Sequence, residues 1–140
     1  TNTATVTGGG LAASLTAQAT LAAAQRADLT VSKAICPATV TESGQLTYTF
    51  VLQNFGNTAA TAGDNVILTD TFDPALTGLT VTYNGDAWKE GDNYPYDAAT
   101  GTFATIAGQI AVPAATYTQE TDGTYTVTPG TTTVTVTGTV

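Results

Sequence analysis

The sequence predicts an all-β protein with an antiparallel β-sandwich fold, and three observations lead to this prediction. Threonine is the commonest residue, with 33 copies in 140 residues, and threonine, valine and tyrosine favour the pleated, half-buried surface of a strand. Apolar and polar residues alternate with a period of two through most of the chain, as they do in strands that bury one face. Turn signals recur about every ten residues, which is typical of an immunoglobulin-like sandwich.

The alternation is clearest in residues 27–140, which we predict to be one β-sandwich domain without any helix longer than about two turns. Each predicted strand places its apolar side chains on a common face. The residues that share faces are Leu29, Val31, Lys33 and Ile35; Leu46, Tyr48, Phe50 and Leu52; Val66, Leu68, Asp70 and Phe72; Leu79, Val81 and Tyr83; and Val134, Val136, Gly138 and Val140. Phe103 and Ile106 lie in a further predicted strand. Residues 110–117 and 125–127 are expected to form a hairpin around Asp122-Gly123.

The N-terminal segment differs in composition from the rest of the chain. Residues 1–10 have the period-two pattern of a strand and end in three glycines, with Asn2, Ala4 and Val6 on one face. Residues 11–26 are rich in alanine, which permits a helix, but they show no continuous apolar stripe. An extended segment or linker is therefore favoured there, and a helix remains open.

Composition excludes several classes of function. The net charge is −8 with only three cationic residues, so a nucleic acid partner is not expected. No apolar run approaches the roughly 20 residues of a membrane helix, so membrane insertion is not expected either. The chain has no histidine, and Cys36 is its single cysteine, which rules out an intrachain disulfide and histidine-based triads or metal sites. We therefore expect no enzyme, no cofactor and no metal.

Four segments carry a family resemblance through their order and spacing, and they read ADLTVSK, PATVTESGQLTYTFVLQNFGNT, VILTDTFDP and YDAATGTF. They resemble the bacterial conserved-repeat domain, an immunoglobulin-like domain of unknown function found in tandem on bacterial surface proteins. The resemblance covers about residues 27–140. It implies an extracellular protein at the bacterial cell surface or in a secreted fibre.

The chain departs from this family in the position of one strand. In the family the final strand typically reads close to TNTATVT, whereas here TNTATVTG stands at residues 1–8. Two explanations stay open. In a chain cut from a tandem array, residues 1–8 are the last strand of the preceding repeat; in a polymer, they complete a neighbouring subunit by donor-strand complementation. Both imply that this strand does not belong to the sandwich formed by its own residues 27–140.

The predicted function is that of a structural subunit of a self-assembling extracellular fibre or pilus-like appendage. Its partners would be copies of itself, joined head to tail, because such a contact is heterologous and does not close. The alternative is a spacer or ligand-binding repeat of a bacterial surface adhesin, whose cell-surface or host ligand the sequence does not identify. A fibre subunit polymerises alone, whereas an array repeat stays monomeric.

Three polar residues fall on otherwise apolar faces: Lys33, Asp70 and Asn2. An inward lysine is unusual, because lysine is rarely buried unless it is paired. The three side chains supply an amine, a carboxylic acid and a carboxamide, which are the three groups that an isopeptide crosslink needs. Some bacterial surface sandwiches resemble this arrangement. An uncharged amine can attack the Asn2 carbonyl while Asp70 moves protons and ammonia leaves. Two alternatives stay open: a buried Lys33–Asp70 ion pair with Asn2 nearby, and a Lys33 whose long stem reaches solvent.

Two further groups of residues are weaker candidates for a site. Asp92, Asn93 and Asp97 carry oxygen ligands for calcium but lack the spacing of a dedicated loop. Trp88 and Tyr94 are able to form a sugar-binding platform if their rings are exposed, yet such aromatics more often fill a rim or an edge. We predict neither site.

Overall fold

The structure, a computed structural model, describes residues 1–22 and 24–140. These residues form twelve strands and one short 3-10 turn at Ala62–Asp64, and every strand pairing is antiparallel. The strands are β1 (Asn2–Val6), β2 (Leu15–Ala19), β3 (Leu29–Cys36), β4 (Gln45–Asn54), β5 (Thr69–Thr71), β6 (Thr77–Tyr83), β7 (Asp86–Trp88), β8 (Tyr96–Asp97), β9 (Thr102–Ala104), β10 (Thr116–Gln119), β11 (Tyr125–Thr128) and β12 (Gly130–Thr139). The predicted all-β, antiparallel fold class is confirmed.

Two sheets pack face to face to make the sandwich. The larger sheet has the order β3-β4-β12-β6-β7, and the smaller has the order β5-β9-β8. Aromatic rings join their inner faces: Phe72, next to β5, stacks on Tyr48 of β4 with ring centroids 4.8 Å apart. Phe72 also lies 5.9 Å from the ring of Phe103 in β9. The core therefore sits between β4 and the smaller sheet.

The central strands of the larger sheet show the period-two pattern most clearly. Inward positions of β4 and β12 are buried, while the residues between them are mostly half-buried. Val134 lies opposite Phe50 and Val136 lies opposite Tyr48, so the inward side chains of the two strands are in register. A one-residue slip would turn all of these side chains to the outside. The predicted inward faces of these two strands are confirmed.

The hairpin expected from residues 110–117 and 125–127 is shorter than predicted. Only β10 and β11 pair in it, and the segment before β10 enters the core instead. Ile110 and Val112 are completely buried, and Val112 exchanges backbone hydrogen bonds with Ala60. The prediction was wrong for residues 110–115 because their apolar side chains pack against the sandwich rather than against a neighbouring strand.

A buried asparagine anchors the place where the N-terminal arm leaves the sandwich. The side-chain oxygen of Asn54 accepts hydrogen bonds from the N–H groups of Asp28 and Gly56, and its amide nitrogen donates to the carbonyl of Thr58. A Cβ at position 56 would come within 2.2 Å of the carbonyl oxygen of Arg26, so only glycine fits there. The start of β3 is thus held firmly against the turn that follows β4.

The first two strands form a separate hairpin outside the sandwich. β1 and β2 pair with each other in register, with Asn2 opposite Ala19, and all of their side chains are exposed. The three glycines at 8–10 all have positive φ angles, which glycine adopts at little cost and which allow the tight connection. Within 11–26 the structure has a strand at β2 and, among the described residues, no helix. Strand pairing there prevails over the helix propensity of alanine.

Candidate functional site

The sandwich is open along β3. In the described part of the chain, β3 pairs only with β4 and β5 pairs only with β9, so each strand has one unpaired backbone edge. The inward side chains of β3 are uncovered, with Val31 60% and Ile35 43% exposed. Their neighbours across the ladder, Leu52 and Tyr48, are buried. We call the uncovered inner face of β3, together with the free edge of β5, the open groove.

Lys33 and Asp70 meet inside this groove. Lys33 lies at the middle of β3, and its Nζ forms an ion pair with Oδ2 of Asp70 in β5. The Nζ atom also lies over the ring of Tyr48, 4.4 Å from the centroid, at a distance where a cation is attracted to an aromatic face. The structure therefore brings together two of the three predicted crosslink residues, one from each sheet.

The two charged groups are shielded to different degrees. The side chain of Asp70 is 20% exposed and that of Lys33 is 39% exposed. The Oδ2 atom of Asp70 is out of contact with water and accepts no hydrogen bond among the described residues. Its ion-pair partner is the ammonium group of Lys33. Because water still reaches Lys33, the ion pair itself contributes at most about 1 kcal/mol to folding. A strand laid over β3 would remove that water.

Asn2 is not part of this pair within one chain. It lies in β1 opposite Ala19 and is exposed together with Ala4 and Val6, the other residues of the predicted donor face. Lys33 and Asp70 thus form an ion pair with a partly exposed lysine, and the carboxamide that a crosslink requires is held elsewhere on the molecule.

A second strand with apolar residues, β2, lies beside the predicted donor, and the sequence pattern did not predict it. Leu15 and Ala17 in β2 lie opposite Val6 and Ala4 of β1, and Ala19 lies opposite Asn2. The signal was present, because these residues alternate with Thr16 and Gln18. It was weak because alanine is small and suits a helix as well as a strand.

The acidic loop before β8 does not gather ligands for a metal. The Oδ1 atom of Asn93 accepts the N–H of Lys89, and its amide donates to Gln109. The hydroxyl of Thr100 and the N–H of Ala99 hydrogen-bond the carboxylate of Asp97, which lowers the pKa of that group. Among the described residues, no three histidine, cysteine, aspartate or glutamate side chains are grouped to hold a metal ion.

The two aromatic residues considered for a sugar-binding platform, Trp88 and Tyr94, each pack against another aromatic ring. Trp88 stacks on Tyr83 with ring centroids 4.8 Å apart, at the far edge of the larger sheet. Tyr94 is buried against Phe103, and this burial raises the pKa of its hydroxyl. The two rings therefore do not form a shared exposed platform.

Comparison with protein families, curated proteins and solved structures gives no match for this chain. Among the described residues, none belongs to a helix that is long and apolar enough to cross a membrane.

Proposed function

We propose that the chain is a structural subunit of a self-assembling extracellular fibre, in which each copy donates its N-terminal strand to the open groove of the next copy. One observation carries this proposal: among the residues that the structure describes, the same chain presents a strand pair that pairs with no other strand and a groove that no strand fills. The extracellular location is the expectation that comes with the resemblance of residues 27–140 to bacterial surface domains.

The free edges and the uncovered side chains supply the driving force. An unpaired strand edge is a template for pairing with another strand, and β5 offers such an edge beside Lys33 and Asp70. A strand added to β5 extends the smaller sheet over β3. Removing Val31 and Ile35 from water would contribute about 1 kcal/mol or more each, since full burial of such a side chain is worth about 1.5–3 kcal/mol.

The geometry of such a contact favours open filaments. The donating face lies on the N-terminal hairpin and the accepting face lies on β3 and β5, so the two faces belong to different parts of the subunit. Contacts between unlike faces are heterologous, and they repeat along a line unless the rotation closes a ring. Each added subunit leaves one free strand and one free groove for the next.

The ion pair in the groove supports a covalent step after insertion. The donated face carries Asn2 in line with Ala4 and Val6, and its carboxamide would enter a groove that already holds Lys33 and Asp70. Exclusion of water from the groove favours proton transfer from the Lys33 ammonium to the Asp70 carboxylate, because burial disfavours both charges. The neutral amine is then a nucleophile next to a carboxylic acid.

The reaction balances without any added reagent. Nζ of Lys33 attacks Cγ of Asn2 in the neighbouring chain, a new C–N bond forms, the bond from Cγ to the amide nitrogen breaks, and ammonia leaves. The Asp70 carboxyl group would protonate the leaving nitrogen and accept the proton from Nζ. Each junction is joined once, so this is assembly chemistry without turnover.

Electron microscopy of the purified chain tests the proposal, with two variants as a matched pair. Val6→Asp places a charge on the donated face of β1 and is expected to slow fibre growth at least about tenfold, because an unpaired carboxylate is costly to bury. Thr5→Asp adds the same charge to the opposite face of the same strand and should grow nearly like the parent. Light scattering gives the rates.

Two outcomes would count against the fibre. If the parent chain stays monomeric at high concentration, the spacer or ligand-binding repeat of a surface adhesin becomes the better account. If Val6→Asp forms fibres as fast as Thr5→Asp, the fibre does not depend on the apolar face of β1.

A further inference from the structure

The N-terminal hairpin has one apolar face and one polar face. In its register, each apolar residue of β1 lies opposite an apolar residue of β2. The pairs on this face are Asn2 with Ala19, Ala4 with Ala17 and Val6 with Leu15, and the pairs on the other face are Thr3 with Gln18 and Thr5 with Thr16. Val6 and Leu15 are each 60% exposed, so none of the residues that the structure describes covers this apolar face.

The two sheets of the sandwich differ in width by two strands. The larger sheet has five strands and the smaller has three. At the far side of the sandwich the chain passes from β7 of the larger sheet to β8 of the smaller one, and Glu90 and Tyr94 form an isolated bridge within this connection. The smaller sheet therefore lacks two strands on the side of β3 and β5, where the inner face of β3 is uncovered.

We propose that the donor is the intact β1–β2 hairpin of a second copy of this chain, which enters the open groove as a two-stranded unit. This inference rests on the proposed strand donation and specifies its partner surface. β1 pairs with the free edge of β5, and β2 continues the smaller sheet beyond β1. The smaller sheet then has as many strands as the larger one.

The contact matches the chemistry of both surfaces. The apolar face of the hairpin turns toward Val31 and Ile35, and its threonine and glutamine side chains remain in water. The alanines at positions 4, 17 and 19 are small enough to approach a surface that already holds Lys33 and the ring of Tyr48. The hairpin is also preformed, so the strands are already ordered before they bind and less conformational entropy is lost.

A single inserted strand would require β1 to separate from β2. The five residue pairs between the strands would break, and Leu15 would remain exposed on an unpaired strand. The two routes differ in what they require of β2: the intact hairpin needs its apolar face, whereas a separated β1 is helped by anything that weakens the pairing.

Two adjacent substitutions in β2 of the full chain distinguish these routes. Ala17→Asp places a carboxylate on the apolar face, opposite Ala4, and Thr16→Asp places one on the polar face, opposite Thr5. Both positions are exposed in the free chain, so neither disturbs the sandwich core. We expect Ala17→Asp to slow fibre growth at least about tenfold and Thr16→Asp to leave it within about twofold of the parent.

The outcomes separate this inference from the proposed function. If Ala17→Asp grows at the parent rate or faster while Val6→Asp is blocked, a single strand is donated and the intact hairpin is wrong. If neither Ala17→Asp nor Val6→Asp slows growth, strand donation itself fails. If both are blocked and Thr16→Asp grows normally, the hairpin enters as a unit.

Discussion

Removal of residues 1–10 is expected to abolish fibres completely while leaving a folded sandwich. The deletion takes away β1 and the glycine turn, and none of the buried core residues of the sandwich lies in that segment. Every groove then stays empty, so no subunit can be added at either end. Electron microscopy and size-exclusion chromatography are expected to show monomers at concentrations where the parent chain forms fibres.

A peptide supplied to the truncated chain provides the control. The segment TNTATVTG should bind the empty groove and raise the melting temperature, because a ligand that binds only the folded state stabilises it by mass action. At a hundredfold excess over Kd this amounts to about 2.7 kcal/mol, or a shift of roughly 10 °C for a domain of this size. A peptide with Asp in place of Val6 should give no shift. If the chain without residues 1–10 forms fibres like the parent chain, strand donation by β1 is wrong.

Covalent joining is expected to make the fibre resistant to boiling in detergent, which should release a ladder of oligomers. Lys33→Ala and Asn2→Ala should each collapse the ladder to monomer, because each removes one of the two atoms that bond. Asp70→Ala should slow or stop bond formation while part of the noncovalent fit remains. Intact-mass measurement should find one ammonia lost per junction.

Lys33→Arg separates the covalent step from noncovalent assembly. Arginine keeps a positive charge facing Asp70 and Tyr48, but its guanidinium is always protonated and cannot act as the nucleophile. Fibres should therefore still assemble and should run as monomers after boiling. Lys89→Ala removes an exposed lysine remote from the groove and should keep the ladder. If boiled parent fibres run wholly as monomer and no ammonia is lost, there is no crosslink. The fibre would then be held together by strand pairing, and Lys33 and Asp70 would form only an ion pair.

The regular alternation of large apolar and small polar residues made much of the sandwich predictable. β4 alternates in this way from Leu46 to Phe50, and β12 does so around Val134 and Val136. This is the pattern of a strand that buries one face. The inward placement of Lys33 and Asp70 followed from the same periodicity. Their direct contact did not, because periodicity gives the face of a strand and says nothing about which strands oppose each other across the core.

Two features depend on tertiary packing that local sequence does not encode. The alanines of β2 suit a helix in isolation, and they form a strand because β1 lies beside them across a glycine turn. Residues 110–115 look like a strand of a hairpin, but Ile110 and Val112 are buried in the core, where Val112 exchanges backbone hydrogen bonds with Ala60. The sequence did not predict the exposure of Val31 either. The alternation predicts which face of the strand points inward, but not whether an opposing strand covers that face.

Mixing two assembly-defective variants tests head-to-tail donation most directly. The Val6→Asp chain has a damaged donor and an intact groove, and the Val31→Asp chain has an intact donor and a damaged groove. Each variant alone should remain largely monomeric over the time in which the parent chain forms fibres. Native mass spectrometry of the mixture should find a dimer with one chain of each variant and no larger species, because after one junction only a damaged donor and a damaged groove remain. A mixture that contains only monomers, or one that grows into full fibres, would contradict the account.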